Sequence, residues 1–381
     1  MPNSPKQAPI RLLTAVPICD GHDSAISTIN LEFSRRGLEI IYLGYHRRAR
    51  EIVRAAVQED VRAIGISSYN GGHVEFFEVV AKLLKEEGAG HIGIFGGGGG
   101  TITPEDAEVM AGFGVDRIFF AGTKLEEMVG WVKAHYSEQP TREILTDAST
   151  DLALGRMITA AEFAGKVPKP PPRSRRPAIF GFTGPGGAGK TTLIDELLAR
   201  WLATQPKGRL AILSHDPSIV GKGALLGDRA GMIHVHDDRI FVRSLATAGR
   251  AGGLAPMTER CLQILCQPDW GFDTIFVETV GIGQEAIPFG EGWVDAAVFV
   301  LNPDYGSRLQ LQKIAMLDVA DIVVLNKFDR PEAPAALAEL EDRLSLRERP
   351  HQVFTTVASR HRDPGVDRLF ETLNIQKEEG A

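Results

Sequence analysis

Cysteine is scarce in this chain: three residues in 381, Cys19, Cys261 and Cys266, with no CxxC pair among them. An odd number without close pairing excludes a disulfide framework and a cysteine-built metal site, and it fits a reduced intracellular setting. A basic excess is also missing, since 42 Lys and Arg face 49 Asp and Glu. Nothing in that balance offers nucleic acid a footing. No apolar run reaches the roughly 18 residues a membrane span needs, and the opening MPNSPKQAPIRLLTAVP has no apolar core long enough for a secretion signal. The expectation is a cytoplasmic protein without a membrane partner. Internal repeats at solenoid periods are absent too.

What is present is a regular alternation. Between residues 10 and 136 five β-branched runs, IRLLTAVPI, EIIYLGY, VRAIGISSY, HIGIFGG and VDRIFFAG, are separated by helical segments. From AIFGFTG at 178 the pattern resumes through RLAILSHD, RIFVRSLAT, TIFVETVG, AAVFVLN, DIVVLNKFD and HQVFTTVAS. Strands alternating with helices imply parallel sheets covered on both faces. The fold class expected is therefore α/β, with two doubly wound parallel-sheet domains. A boundary is expected between them, because 143–165 reads as a connecting helix and VPKPPPRSRRP at 167–177 is too rich in proline for a helix or central strand. The domains are placed at 1–140 and 178–381, with a linker at 141–177.

The second domain opens on a phosphate site. GPGGAGKT at 184–191 fits G-x-x-x-x-G-K-[ST] and lies between a strand and the helical TLIDELLARWL, the setting a P-loop requires. Gly184, Gly186, Gly187, Ala188 and Gly189 would turn backbone N–H groups toward phosphate oxygens at a helix N-terminus. Lys190 would bridge the β- and γ-phosphates, Thr191 would ligate Mg²⁺, and Thr192 follows in the same turn. Further along, NKFD supplies Asn326, Lys327 and Asp329, the N-K-x-D pattern of guanine readers. A carboxylate accepting from guanine N1–H and the 2-amino group discriminates against adenine, so GTP is the expected nucleotide. Asp216 and Glu278 stand at strand ends, where ligands gather in open α/β sheets; with Asp228 they are the acids expected near Mg²⁺ or the attacking water.

The succession GPGGAGKTT, HDPS…GALLGDR, ETVGIGQ and NKFD resembles the MeaB-like G-proteins that chaperone adenosylcobalamin-dependent acyl-CoA mutases, over about 178–375. That family's AVDPSS appears here as SHDPSI, and no role is carried over to NPDYGSRLQLQKIAM at 302–316. The resemblance directs attention back to CDGHDSA at 19–25 and to the cobalamin pattern D-x-H-x-x-G, S-x-L, G-G. Asp20, His22, Ser67, Gly96 and Gly97 fall at its spacings, with Gly98 continuing the glycine run; Ala25 and Tyr69 depart from it. On this reading His22 ligates the cobalt of cobalamin and Asp20 accepts the other ring N–H. Ser67 bonds the displaced base, and the glycines let the nucleotide tail pass close to the backbone. Of the other histidines, His46, His234 and His236 read as polar surface or loop residues, and His73 alone is considered for cofactor contact.

Fused isobutyryl-CoA mutases join such domains in this order and resemble the chain over nearly its whole length. The resemblance implies a flavodoxin-like cobalamin-binding domain ahead of a P-loop GTPase, with adenosylcobalamin and Mg²⁺ as cofactors. It also implies a partner, the acyl-CoA mutase large (barrel) subunit, because the two α/β domains use up the 381 residues. A cobalamin carrier or sensor, a fragment of a longer fused mutase, and a homodimer remain open at this point.

Overall fold

The computed structural model describes residues 9–18, 24–137, 150–161, 171–172, 176–218, 222–250, 252–281, 289, 292–305, 315–345 and 352–379. It divides into two compact units, one made of 1–166 with 217–230, the other of 167–216 with 231–381.

In the first unit the five expected runs become β1 (Arg11–Ala15), β2 (Glu39–Tyr42), β3 (Ala63–Ser67), β4 (Gly93–Gly97) and β5 (Arg117–Phe119). They pair in parallel in the order β5-β4-β3-β1-β2. Helices α1 (Ser24–Arg35), α2 (Ala49–Gln58), α3 (His73–Glu86), α4 (Pro104–Phe113) and α5 (Leu125–Tyr136) alternate with the strands. Strands buried on both faces read as continuous apolar runs, and β1 is buried at every residue. Helix α4 starts where Thr103 caps it: the Thr103 hydroxyl accepts from Asp106 N–H, the Asp106 carboxylate accepts from Thr103 N–H, and Pro104 takes the first helical position. The strand order reverses between β1 and β3, so the ligand crevice of this sheet lies at their carboxyl ends.

The boundary differs from expectation in two places. Helix α6 (Asp151–Ala161) falls inside the expected linker but belongs to the first unit. Gln58 at the end of α2 donates to Asp151 at 2.6 Å, and Gly155 lies so close to the Val57 and Gln58 carbonyls that a side chain there would collide with them. Helix α6 is thus packed against the end of α2.

The second unit contains β6 (Ala178–Thr183), α7 (Lys190–Thr204) and β7 (Leu210–Asp216). After β7 the chain enters the first unit, where β8 (Ala224–Leu226) pairs in parallel with β2 and becomes its sixth strand. The second unit then continues with β9 (Ile240–Ala246), α8 (Thr258–Leu265), β10 (Thr274–Glu278), β11 (Ala296–Leu301) and β12 (Ile322–Leu325). Helix α9 (Ala333–Ser345), β13 (Gln352–Thr355) and α10 (Pro364–Glu379) complete it. All seven strands expected here are present, in the parallel order β13-β12-β11-β6-β10-β7-β9. Phe182, Leu193, Leu197, Ile212, Val298 and Val324 are among the buried residues that join α7 to this sheet.

Strand β8 is the larger departure, since 217–230 lies within the expected second domain. Gly223 N–H donates to Ser34 O and Ala224 N–H to Leu38 O, and a side chain at Gly223 would strike the Leu38 backbone. Arg229 follows, fully buried, with one guanidinium nitrogen 2.7 Å from Gln58 Oε1 and another 3.4 Å from Glu59 Oε1. Glu59 is shared with Arg11 at 3.0 Å, and Arg47 donates to Ala230 O at 2.9 Å. Burial pulls the Arg229 guanidinium down to about 10 while Glu59 pushes it up, so it stays charged at neutral pH.

Candidate functional site

The P-loop connects β6 to α7. Gly184 adopts φ +146° with its α-carbon against Val300 O, and Gly189 caps α7 at φ +90° against the Asn326 amide. Neither position tolerates a side chain, which is the physical content of the glycines at the two ends of the motif. Lys190 is buried and donates to Gly184 O at 3.0 Å and Pro185 O at 3.2 Å, so its ammonium lies inside the loop it is expected to serve. The Thr191 hydroxyl donates to Glu278 Oε1 at 2.6 Å. Strand β10 lies between β6 and β7, placing Glu278 beside both the P-loop and the end of β7 that carries Asp216. Glu278 and Asp216 are both buried. Asp228 opens a short 3₁₀ turn, Asp228–Gly231, and belongs to the first unit, so the second unit by itself holds two of the three expected acids.

The NKFD turn is attached to the same loop. Asn326 donates to Ala188 O at 2.9 Å and accepts at Oδ1 from Thr356 and from Ala358 N–H, each at 3.0 Å. Its amide joins the motif to the P-loop and to the segment after β13. Lys327 takes φ +57°, and Asp329 is exposed. Thr192 is exposed on the first turn of α7. Sequence reasoning passed over Asn302, which donates to Gly187 O at 3.3 Å from the segment left without a role, and over Thr356 and Ala358. An asparagine directly after a fully buried strand was the available signal.

In the first unit a cavity of about 210 Å³ opens at the carboxyl ends of β1, β3, β4 and β5, bounded by Thr14, Ala25, Ser67, Tyr69, Gly97 and Phe119 among others. It occupies the crevice where the strand order reverses. Gly96, Gly97 and Gly98 all border it, but their lack of side chains serves the protein as much as a ligand. A β-carbon on Gly96 would run into the Phe77 ring, one on Gly97 would lie 2.7 Å from Phe119 O, and one on Gly98 would meet the Ser68 carbonyl. Gly99 is covered by the Tyr69 ring. The glycine run therefore lets α3 and the loop after β3 close against β4, leaving backbone as the cavity wall. Ala25 forms part of the wall where the motif has glycine.

Asp20 and His22 lie outside the described residues, as does Cys19. The segment leading to them is fixed up to Ile18: Arg47 N–H donates to Val16 O, and His46 Nδ1 lies 3.0 Å from Ile18 O. His46 is thus a brace on that segment, at φ +58°. His73 is not among the cavity residues. Its Nδ1 lies 2.8 Å from Asn70 O and its Nε2 3.1 Å from Asp106 Oδ2, joining the loop after β3 to the start of α4. His234 is paired as well, its Nδ1 3.1 Å from Asp195 Oδ2 on α7. Among the described residues no group of three or more His, Cys, Asp or Glu is arranged to hold a metal ion, and no helix is long and apolar enough to cross a membrane.

Comparison with known proteins matches both units. The family model described as methylmalonyl Co-A mutase-associated GTPase MeaB matches residues 168–379, and that of the B12 binding domain matches 10–129. A fused isobutyryl-CoA mutase from Geobacillus kaustophilus is 36% identical over 98% of this chain and 37% of its own length. One from Nocardia farcinica is 39% identical over 96% of this chain and 36% of its own length. The mitochondrial methylmalonic aciduria type A homolog of Mus musculus is 34% identical over 52% of this chain and 49% of its own. The chain therefore spans little more than a third of the length of the two fused relatives.

Proposed function

The chain belongs to the MeaB family of GTPases, with a B12 binding domain ahead of the GTPase, and from that premise we propose that it hydrolyses GTP to manage adenosylcobalamin for an acyl-CoA mutase. The substrate barrel of that mutase, of isobutyryl-CoA or methylmalonyl-CoA type, lies outside the two α/β units. One observation carries the reading: a P-loop joined through Thr191 to Glu278, and a cavity walled by glycine backbone at a sheet's switch point, occur in a single polypeptide.

Lys190 leaves the carbonyls it now holds and pairs with the β- and γ-phosphates of GTP. Thr191 and Asp216 would hold Mg²⁺, which when bound would neutralise phosphate charge. The Thr191 hydroxyl donates its proton to Glu278, so Glu278 orients Thr191 and is placed to orient the attacking water. Water forms the new bond to the γ-phosphorus, the bond from that phosphorus to the β,γ-bridging oxygen breaks, and GDP and inorganic phosphate leave. Asp329 selects guanine, held in place by Asn326.

In the first unit, Ser67 and the backbone of Gly96, Gly97 and Gly98 border the slot for the cofactor's nucleotide tail. The cavity fits that group: apolar side chains and bare backbone surround the hydroxyls of Thr14, Ser67, Tyr69 and Thr123, of which that of Ser67 is assigned to the displaced base. Adenosylcobalamin, when bound, supplies a cobalt–carbon bond that cleaves homolytically. His22 is assigned as the cobalt ligand and Asp20 as the acceptor of its other ring proton. The buried thiols of Cys261 and Cys266, outside any disulfide, support a reducing, cytoplasmic setting.

The test is GTP turnover by the chain with Mg²⁺, which should fall by about 100-fold or more in Lys190→Ala, the loss expected when a phosphate clamp goes; unchanged turnover refutes the nucleotide site. For the cofactor, cob(II)alamin bound to protein made with nitrogen-labelled histidine should show coupling to the label, lost in His22→Ala. Coupling to the unlabelled benzimidazole instead would remove His22 from the site.

A further inference from the structure

His215 precedes Asp216 on β7 and is 1% exposed. Its Nδ1 lies 2.7 Å from the backbone carbonyl of Glu278, and its Nε2 lies 2.8 Å from the hydroxyl of Thr258, the first residue of α8. The carbonyl can only accept, so Nδ1 carries a proton. Nε2 faces the Thr258 hydroxyl. That hydroxyl also lies 2.8 Å from Ala255 O. The ring thus fastens the end of β10 to the segment that begins α8.

The residues after Glu278 are held on both sides. Thr279 N–H donates to Phe182 O, its hydroxyl donates to Thr183 Oγ1, and Val280 N–H donates to Gly253 O. Gly281 lies directly against the P-loop, where an added β-carbon would fall 2.5 Å from the Gly186 α-carbon and 3.1 Å from Lys190 Nζ. One side of the 278–281 turn therefore rests on the phosphate loop, and the other on His215 and the 253–258 segment. Glu278 reaches Thr191 from this turn at 2.6 Å.

We propose that His215 is a positioning residue for GTP hydrolysis, setting where the Glu278 carboxylate stands by holding the Glu278 carbonyl. The inference rests on the role given to Glu278 above. His215 is buried with its ring nitrogens on Glu278 O and Thr258, so its loss acts on the placement of Glu278 and leaves the P-loop's grip on diphosphate intact.

The test uses the full chain with Mg²⁺ and four variants, GDP affinity being measured in each as the sign of an intact nucleotide site. His215→Leu fills the space without a hydrogen bond and should lower kcat by roughly ten- to a hundredfold, the range for a displaced catalytic group, with KM for GTP within about threefold. His215→Asn puts an N–H donor near the position of Nδ1 and should recover most of kcat; His215→Gln offers its donor toward Thr258 and should not. Wild-type kcat in His215→Leu, with turnover impaired in Glu278→Gln, overturns the inference alone. Equal recovery by Asn and Gln overturns it as well, and this comparison stands even where the Leu variant does not fold. Wild-type turnover in Glu278→Gln instead overturns the role of Glu278, and the inference with it.

Discussion

The two units prepare their ligand sites in opposite ways. In the nucleotide unit, buried polar groups are joined to one another in advance: Lys190 to Gly184 and Pro185, Thr191 to Glu278, Asn326 to Ala188 and Thr356, and His215 to Glu278 and Thr258. In the cobalamin unit the cavity is shaped by glycine backbone and apolar side chains, and the buried ionic groups lie elsewhere, in the Arg11, Glu59 and Arg229 network. A charged ligand transferred in a chemical step calls for fixed dipoles, whereas a large organic tail calls for volume. The first site should therefore fail by loss of a hydrogen bond, the second by loss of space.

The sharpest way to break this contrast is to fill the space. Gly98→Val drives a side chain into the Ser68 carbonyl. It should abolish cobalamin retention and lower the melting temperature of the cobalamin unit, while GTP turnover persists. Retained cobalamin, followed by its visible absorption, would show that the β4 glycines are not a packing requirement. Next in size is Arg229→Met, which leaves Glu59 buried with one cationic partner fewer and should destabilise the same unit by about 3 kcal/mol, read by denaturant unfolding. A change below about 1 kcal/mol would mark the network as energetically idle.

The smallest effect concerns His73 and Asp106. The Thr103 N–H, then His73, then the Thr103 hydroxyl hold the Asp106 carboxyl below the usual carboxylate range. A depressed folded value means that the stabilisation is fully present above the unfolded pKa and is lost as pH falls through the folded one. Wild type should melt slightly above Asp106→Asn at neutral pH, and the gap should close under acid conditions below the ordinary carboxylate range. A gap that widens in acid would reverse the sign assigned to this contact.

Much of this was legible in the sequence, for reasons that also explain the exceptions. The strands announced themselves because parallel, doubly covered strands must be apolar throughout, as VVL in β12 and AVFVL in β11 are. The P-loop was legible because glycine, lysine and threonine at fixed spacing have few other uses. Strand β8 was hidden: ALL carries no β-branched residue, and its partner β2 lies far away in sequence, so no local preference marks it. Arg229 was hidden because an arginine in a loop reads as solvent-exposed, whereas Gln58 and Glu59 at the end of α2 help to make its burial tolerable. His215 was eclipsed by Asp216 beside it, since a carboxylate at a strand end suggests chemistry and the preceding residue suggests only packing.

Strand β8 also bears on how the molecule is made. A chain emerging from the ribosome ordinarily folds its N-terminal domain first. Here the sixth strand of that domain, and the arginine that meets Glu59, are translated only after β6, α7 and β7 of the next unit. The sheet begun at residue 11 closes at residue 226, so the two units are nested in time. Cutting the chain at the proline-rich stretch after α6 would give one piece whose β2 keeps β1 but has lost β8, and another bearing a strand with nothing to join.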